Sequence, residues 1–410
     1  MLPLPLLLGA ASARTFAVPR VAWASGVSVC SEPQRANLSA RSPDAARLIA
    51  EACAPYPTGR WCANSSRCAD PPNSLLVNAH GLPLEPLHAE GEDGAIARCL
   101  RARSRSTSGE RLLVAFVGDS QTRMLAAAML QPLPRVPRNF PDACNGDQWL
   151  KRGRNPPAWT STTRGNALGK MTADAAAAGW SLDLLQLNVC GLYRGSAYGG
   201  RARRPGSNVT STLEEFREAL RRLNPTRVLT VFGLGIWDLA FESYTESDHL
   251  SKFPARYQEL LFGVHALLTS RRDTESLLLV RNQFVSYAYF RPRRRNRLIG
   301  GMHALNVIVE AAIVKLAHEE SRRLQAEPGV NGSAAGGALR GCVRTRLLDT
   351  WALSLSRSSE MPFGKDGLHW YCKDGPRHME QVNSLTRRPF EVALGALQLA
   401  LATFCGLDGG

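Results

Sequence analysis

From residue 112 onward, short apolar runs alternate with segments in which apolar residues recur at helical spacing. The apolar runs are four to eight residues long, which is typical of strands buried on both faces. They predict five strands, at residues 112–117, 182–189, 228–232, 277–280 and 343–348. Strands that alternate with helices predict βα units and a mostly parallel sheet.

The helical segments are predicted from apolar spacing and capping residues. One helix follows Ser120 in the stretch "QTRMLAAAML", and a long, largely buried one covers 302–318. An amphipathic helix is opened by Ser211 and Glu214 as a capping box and ends at Asn224 and Pro225. Its apolar face carries Leu213, Phe216, Leu220 and Leu223. The last helix begins at Pro389, with Leu394, Leu397 and Leu401 facing inward. The predicted fold is an α/β/α three-layer sandwich of the SGNH-like type.

The first 108 residues lack this alternation and predict a different organisation. Residues 1–24 contain a short apolar stretch and an A-S-A ending at Ala13, and so resemble a secretory signal that is cleaved after Ala13 or Ala24. Residues 25–108 predict an irregular lead-in pinned by disulfides, and 109–410 predict the catalytic domain. No apolar window reaches the roughly 20 residues of a membrane-spanning helix, so none is expected.

The cysteines and glycosylation motifs predict an oxidising compartment. The chain has ten cysteines and no CxxC pair that would suggest a zinc site, so we expect disulfides and no metal. Four N-x-S/T motifs predict glycosylation at Asn37, Asn64, Asn208 and Asn331. We therefore expect the protein in the secretory pathway, in the Golgi lumen or outside the cell.

The charge predicts an affinity for polyanions. A formal net charge of +15 and a pI near 9.8 accompany arginine runs at 101–105, 201–204 and 291–297. Short runs beside glycine or proline are also typical of solvated loops. In the predicted compartment the available polymers are glycans, so the expected partner is a glycan, including acidic ones, and not nucleic acid.

The first candidate site is Gly118-Asp119-Ser120, between the first predicted strand and a helix. Glycine permits a tight turn, and a serine at a helix start lies among backbone N–H groups that could hold an oxyanion. The alternative is that Asp119 or Ser120 only caps the helix.

The second candidate site is Asp366-Gly367-Leu368-His369. A serine hydroxyl needs a base to accept its proton, and the base needs an acceptor that orients it. An Asp three residues before a His can supply both groups, although His369 could instead be structural, and His378 is the nearest alternative base.

Together these motifs resemble a known family. The stretches "FVGDSQTR", "VFGLGIWDL", "LLDTWALS" and "KDGLHW" lie within 112–370. They resemble the PC-esterase branch of the GDSL/SGNH superfamily, which includes plant trichome-birefringence-like polysaccharide O-acetyltransferases and the animal sialic-acid O-acetyltransferase.

The resemblance implies a role for each matching residue. Ser120 would be the nucleophile, His369 the general base and acid, and Asp366 the residue that orients it. Weaker oxyanion or substrate-binding candidates are Gly118, Arg123, Gly191, Trp237 and Asp238. Trp237 stands where secreted SGNH esterases carry an oxyanion-binding asparagine, which favours the PC-esterase branch and leaves Ser120 N–H and Gly191 N–H as the expected donors.

The implied reaction is a double displacement through an acetyl-serine. It requires no cofactor, only an acetyl donor as co-substrate. The leading interpretation is an O-acetyltransferase that acts on glycan hydroxyls. A carbohydrate O-acetylesterase with the same residues and a catalytically inactive glycan-binding protein remain alternatives.

Overall fold

A computed structural model of the chain describes the regular elements and the turns next to them. The described residues are 60–61, 76–77, 95–103, 111–129, 159–163, 166–172, 181–189, 192, 209–236, 238, 246–271, 273–285, 295–326, 343–355 and 384–406.

Strands and helices alternate along this part of the chain. The strands are β1 (Arg60–Trp61), β2 (Leu76–Val77), β3 (Leu112–Gly118), β4 (Trp159–Thr163), β5 (Asn166–Thr172), β6 (Ser181–Asn188), β7 (Arg227–Gly233), β8 (Glu275–Arg281) and β9 (Val343–Leu348). The helices are α1 (Ala95–Arg103), α2 (Ser120–Met129), α3 (Val209–Leu223), α4 (Glu246–Thr269), α5 (Arg295–Ala326), α6 (Thr350–Leu355) and α7 (Ser384–Cys405).

Seven strands form one sheet, in the order β4-β5-β6-β3-β7-β8-β9. The five strands from β6 to β9 in this order are all parallel to their neighbours, whereas β5 is antiparallel to β6 and to β4. These five are the strands that the apolar runs predicted, with end points that differ by no more than two residues. The mostly parallel sheet is therefore confirmed. A separate antiparallel pair joins β1 and β2.

The order of the parallel strands reverses near the centre of the sheet. The chain leaves β3 for β6 on one side and then crosses back to β7, β8 and β9 on the other. In a doubly wound sheet, ligands bind at the point where this direction reverses, beyond the carboxyl ends of the strands. That point lies between β3 and β7.

Both faces of the sheet are covered, which explains why β3 is apolar throughout. Val114 and Phe116 pack into a core formed with α1, α2 and α7, whereas Leu113 and Val117 pack into a second core formed with α3, α4 and α5. The predicted three-layer arrangement is confirmed.

Several predicted helix ends are wrong, by up to eight residues. α3 begins at Val209, so Ser211 lies inside the first turn and is not its cap. The predicted end of α3 is confirmed, because Asn224 follows with the left-handed φ of 43° that stops a helix. α5 extends beyond 302–318 at both ends, and α7 begins five residues before Pro389. Residues 295–297 of an arginine run predicted to lie in a loop start α5.

Several elements had no counterpart in the sequence pattern, among them α4 and the hairpin β4–β5. α4 contains Pro254, which reads as a helix break because proline lacks the N–H group. The hairpin β4–β5 has the sequences "WTSTT" and "NALGKMT", which contain no apolar run of strand length.

A disulfide joins α1 to α7, between Cys99 and Cys405. α1 falls within the predicted irregular lead-in, yet it is regular, and its Ile96 and Leu100 are buried against the core. Arg103 at its end lies over the Phe404 ring, 4.7 Å from the ring centroid. A disulfide of this kind is typical of proteins from oxidising compartments. Among the helices described here, none is long and apolar enough to cross a membrane.

Replacing both cysteines of this disulfide, as Cys99→Ser/Cys405→Ser, is expected to lower the free energy of unfolding by about 2–5 kcal/mol. The bond closes a long loop, with a sequence separation of 306 residues, and thereby restricts the unfolded chain. Urea unfolding at equilibrium measures the change. The exposed substitution Arg256→Lys serves as a control and should leave the urea midpoint unchanged. Equal urea midpoints for the double cysteine variant and for Arg256→Lys would contradict the assigned disulfide.

Candidate functional site

The candidate site lies at the carboxyl ends of three neighbouring strands. Gly118 at the end of β3 stands in register with Asn188 of β6 and Gly233 of β7. Beyond the strand ends, Asp119 N donates to Gly233 O at 3.2 Å, and Val189 N donates to Gly118 O at 2.7 Å. These bonds tie the start of the β3–α2 turn to both neighbouring strands.

Gly118 is required by the closeness of this approach. A Cβ atom at this position would lie 1.9 Å from Gly233 O and 2.6 Å from Thr122 Oγ1. The first of these is a backbone atom in a central strand and cannot move aside. Thr122 Oγ1 also donates a hydrogen bond to Gly233 O at 2.5 Å. The first turn of α2 is therefore bonded directly to the end of β7.

Asp119 is the residue that caps α2. Its Oδ1 accepts hydrogen bonds from Gln121 N at 2.9 Å and from Thr122 N at 3.4 Å, and its backbone O accepts one from Arg123 N. The second carboxylate oxygen, Oδ2, accepts one from Ile236 N at 3.1 Å, in the segment after β7. The choice between Asp119 and Ser120 as the cap is thus resolved in favour of Asp119.

Ser120 is the first residue of α2 and is buried. It follows Asp119 directly, so it lies at the positive end of the helix dipole and at the reversal point between β3 and β7. This is the placement that the sequence predicted for the candidate nucleophile.

A buried arginine that the sequence pattern did not single out lies beneath this turn. The Arg281 side chain, at the end of β8, has 0% relative exposure, and all five of its N–H groups have acceptors. The acceptors are Thr122 Oγ1 at 2.8 Å from Nε, Gln121 Oε1 at 3.2 Å and Asn282 O at 3.0 Å from Nη1, and Asp119 Oδ1 at 2.5 Å and Gly233 O at 3.1 Å from Nη2.

The charges of Arg281 and Asp119 compensate each other in this buried position. Burial lowers the pKa of the Arg281 guanidinium, and the charge of Asp119 opposes that shift. Arginine stays protonated in proteins because its ordinary pKa is above about 12, so the pair is ionic. The nearby Tyr257 is also buried; burial raises the pKa of its phenol, which is therefore neutral at physiological pH.

Arg123 lies one turn along α2 from Ser120 and bonds to the neighbouring strand. Its Nη1 donates to Asn188 Oδ1 at 3.0 Å, and the residue is buried rather than on the surface. Its burial excludes the interpretation of Arg123 as a surface residue. Asn188 was missed, although a polar residue near the carboxyl end of a predicted buried strand was the signal that could have indicated it.

The segment after β7 is held from several sides. Asp238 Oδ1 accepts a hydrogen bond from Leu192 N at 3.0 Å, which links this segment to the one after β6. Gln283 Nε2 donates to Leu234 O at 2.8 Å. A Cβ atom on Gly235, which has a φ of 129°, would lie 2.7 Å from Leu305 Cδ1. Asp238 was predicted as a weak oxyanion or substrate contact; its hydrogen bond to Leu192 shows that it joins two loops.

The ends of β8 and β9 are joined in the same manner. Asn282 Nδ2 donates to Asp349 Oδ1 at 2.7 Å, and Asp349 Oδ1 also accepts from Ala352 N, which makes Asp349 the cap of α6. Thr350 Oγ1 donates to Asn282 O at 2.7 Å. The motif "LLDTWALS" therefore forms a strand, a cap and a short helix.

The structure brings together Gly118, Ser120, Arg123 and Asp238, at the carboxyl ends of β6, β3 and β7. The other predicted site and glycosylation positions lie outside the described residues: Gly191, Trp237, Asp366, His369, Asn37, Asn64, Asn208 and Asn331. Within the described part of the chain, no three His, Cys, Asp or Glu side chains are grouped so that they could hold a metal ion.

The fold and the turn define a class of protein. The chain is a doubly wound α/β protein whose five parallel strands are compatible with an SGNH-like domain, with a capped polar turn at the point where the winding reverses. Neither a scan against protein-family models nor a search of curated protein sequences gave a match.

Gly118→Ala is expected to lower the free energy of unfolding by about 1–3 kcal/mol or more, because the new methyl group meets the backbone of β7. Chemical denaturation followed by circular dichroism measures the loss. Gly263→Ala on α4 is the matched control: its Cβ atom would meet only the Leu213 side chain, which can move, and alanine favours the helix. A loss for Gly118→Ala no larger than that for Gly263→Ala would contradict the close approach.

Proposed function

We propose that the protein is a serine-dependent O-acetyltransferase that modifies glycan hydroxyls, with Ser120 as its nucleophile. The observation that carries the proposal is the position of Ser120, which starts a helix directly after the central strand, at the reversal point of a doubly wound sheet. A second support is that Asp119 already supplies the cap, so the serine is not needed for that structural task.

The proposed reaction has two displacements. Ser120 Oγ attacks the carbonyl carbon of the donor's acetyl group while His369 takes the hydroxyl proton, and Asp366 holds the imidazole in orientation. The resulting oxyanion is stabilised by the N–H groups of Ser120 and Gly191. When the tetrahedral intermediate collapses, the bond to the donor breaks, and the leaving group takes the proton from His369.

The acetyl-serine then reacts with the acceptor. A sugar hydroxyl gives its proton to His369 and attacks the acetyl carbon, and collapse of the second tetrahedral intermediate breaks the bond to Ser120 Oγ. Ser120 regains its proton from His369, and the product is the O-acetylated sugar. Water in place of the sugar would make the same residues an esterase.

Two described contacts support the oxyanion assignment. Asp238 fixes Leu192, the residue that follows Gly191 in the chain, next to the segment after β7. Arg123, in the first turn of α2 and bonded to Asn188 of β6, adds a positive charge near the reversal point between β3 and β7. A donor aimed at the developing charge is worth about a hundredfold or more in rate.

Further features support the family, the substrate class and the compartment. The four motif stretches resemble the PC-esterase branch, and the five parallel strands fit an SGNH-like fold. The net charge of +15 favours acidic glycans as acceptors. The Cys99–Cys405 disulfide and the four N-x-S/T motifs favour the secretory pathway, the Golgi lumen or the extracellular space.

Ser120→Ala is expected to abolish formation of an acetyl-enzyme and to lower turnover of p-nitrophenyl acetate by about a thousandfold or more. Mass spectrometry of the wild-type protein after brief exposure to the acetyl donor should find the acetyl group on Ser120. Unchanged turnover in Ser120→Ala would overturn the nucleophile. Acetyl release to water without transfer to any oligosaccharide would indicate the esterase, and a wild-type protein that binds glycans without turnover would indicate the binding protein.

His369→Ala is expected to lower the rate of acetyl-enzyme formation by at least about a hundredfold, because the serine loses its base. His378→Ala is the matched control, since it removes the nearest other histidine, and its rate should stay close to that of the wild type. Stopped-flow release of p-nitrophenol separates this step from the later transfer. The reverse pattern would move the base to His378.

A further inference from the structure

We propose that Arg281 is the positioning residue of the nucleophile: it fixes Ser120 by binding the residues on both sides of it. This inference rests on the proposed function. Arg281 bonds to the Asp119 carboxylate before Ser120, and to the side chains of Gln121 and Thr122 after it. Ser120 thus lies on a backbone turn whose neighbours share one guanidinium.

The shape of the guanidinium fits this task. Its five N–H groups lie in one plane and point in fixed directions, and all five are used here. A lysine ammonium has three donors on a flexible stem and could reach only part of the set. The number of acceptors around this one side chain therefore favours arginine over lysine at this position.

The path of the Arg281 side chain explains a glycine in the neighbouring strand. Arg281 starts on β8 and must cross the end of β7 to reach Asp119 on the far side. A Cβ atom on Gly233 would lie 2.2 Å from Arg281 Cγ and 2.8 Å from its Nε. Gly233 leaves the room for this crossing, and its carbonyl oxygen accepts a bond from the arginine.

The desolvation free energy of burying Asp119 and Arg281 indicates that this ion pair has a role beyond stability. A buried ion pair is weak evidence for stability, because desolvation offsets most of the attraction between the charges. This pair lies at the turn that carries the candidate nucleophile, whereas the cores on both sides of the sheet consist mainly of apolar side chains. A displacement of a reacting atom by about 1 Å can cost about a hundredfold in rate, which is the error that the network prevents.

The test compares Arg281→Lys with the wild type and with Leu277→Ala, a buried substitution at the other end of β8 that destabilises the fold without touching the turn. For each variant, circular dichroism gives the folded fraction, and single-turnover release of p-nitrophenol gives the rate of Ser120 acetylation per folded molecule. We expect Arg281→Lys to lose about a hundredfold in the acetylation rate at saturating ester, with the half-saturating ester concentration little changed. Leu277→Ala should keep the wild-type rate per folded molecule.

If Arg281→Lys does not fold, the neutral pair Asp119→Asn/Arg281→Gln replaces it, because it removes both buried charges while asparagine still caps the helix. The same loss in the acetylation rate is expected. A folded Arg281 variant that acetylates Ser120 at the wild-type rate, or a loss that Leu277→Ala shares, overturns the positioning role alone. A wild-type protein that forms no acetyl-Ser120 overturns the proposed function and the positioning role together.

Discussion

The buried ion pair between Asp119 and Arg281 is the interaction on which the polar end of the sheet depends. One carboxylate caps α2, receives the guanidinium and holds Ile236 after β7. One guanidinium reaches from β8 across β7 to the turn after β3. Because each group has its partners in three different segments, the ends of three parallel strands are held in one arrangement. Gly118 and Gly233 are glycines because this arrangement leaves no space for a side chain at either position.

This constraint separates two tasks that a short polar motif must perform. In Gly-Asp-Ser, the glycine permits the approach of β7, and the aspartate satisfies the helix N-terminus. The serine is the member of the motif that the fold does not need for either task. Ser120 nevertheless lies at the reversal point of a doubly wound sheet, beside Arg123 and Asn188. This position is the reason to assign it a chemical role.

The sequence predicted the sheet well because strands buried on both faces must be apolar along their whole length, as Leu112 to Val117 are. It did not predict α4, where Pro254 lies inside the helix, or the polar hairpin β4–β5. Gly118 and Ser120 were singled out because they come directly after an apolar run, and Arg123 was singled out by the resemblance of the motif. Arg281 was not found, because its role depends on the spatial order of β3, β7 and β8. Nothing in the sequence around a single arginine at the end of a strand indicates a partner 162 residues away.

The disulfide between α1 and α7 has a consequence beyond stability. It converts the chain from Cys99 to Cys405 into a covalent ring that contains every strand of the large sheet. A protease that cuts this ring once leaves a single molecule, heavier by one water, instead of two fragments. The ring therefore has the connectivity of a circular protein, and its sheet can survive a single cleavage that would separate a linear chain into two pieces.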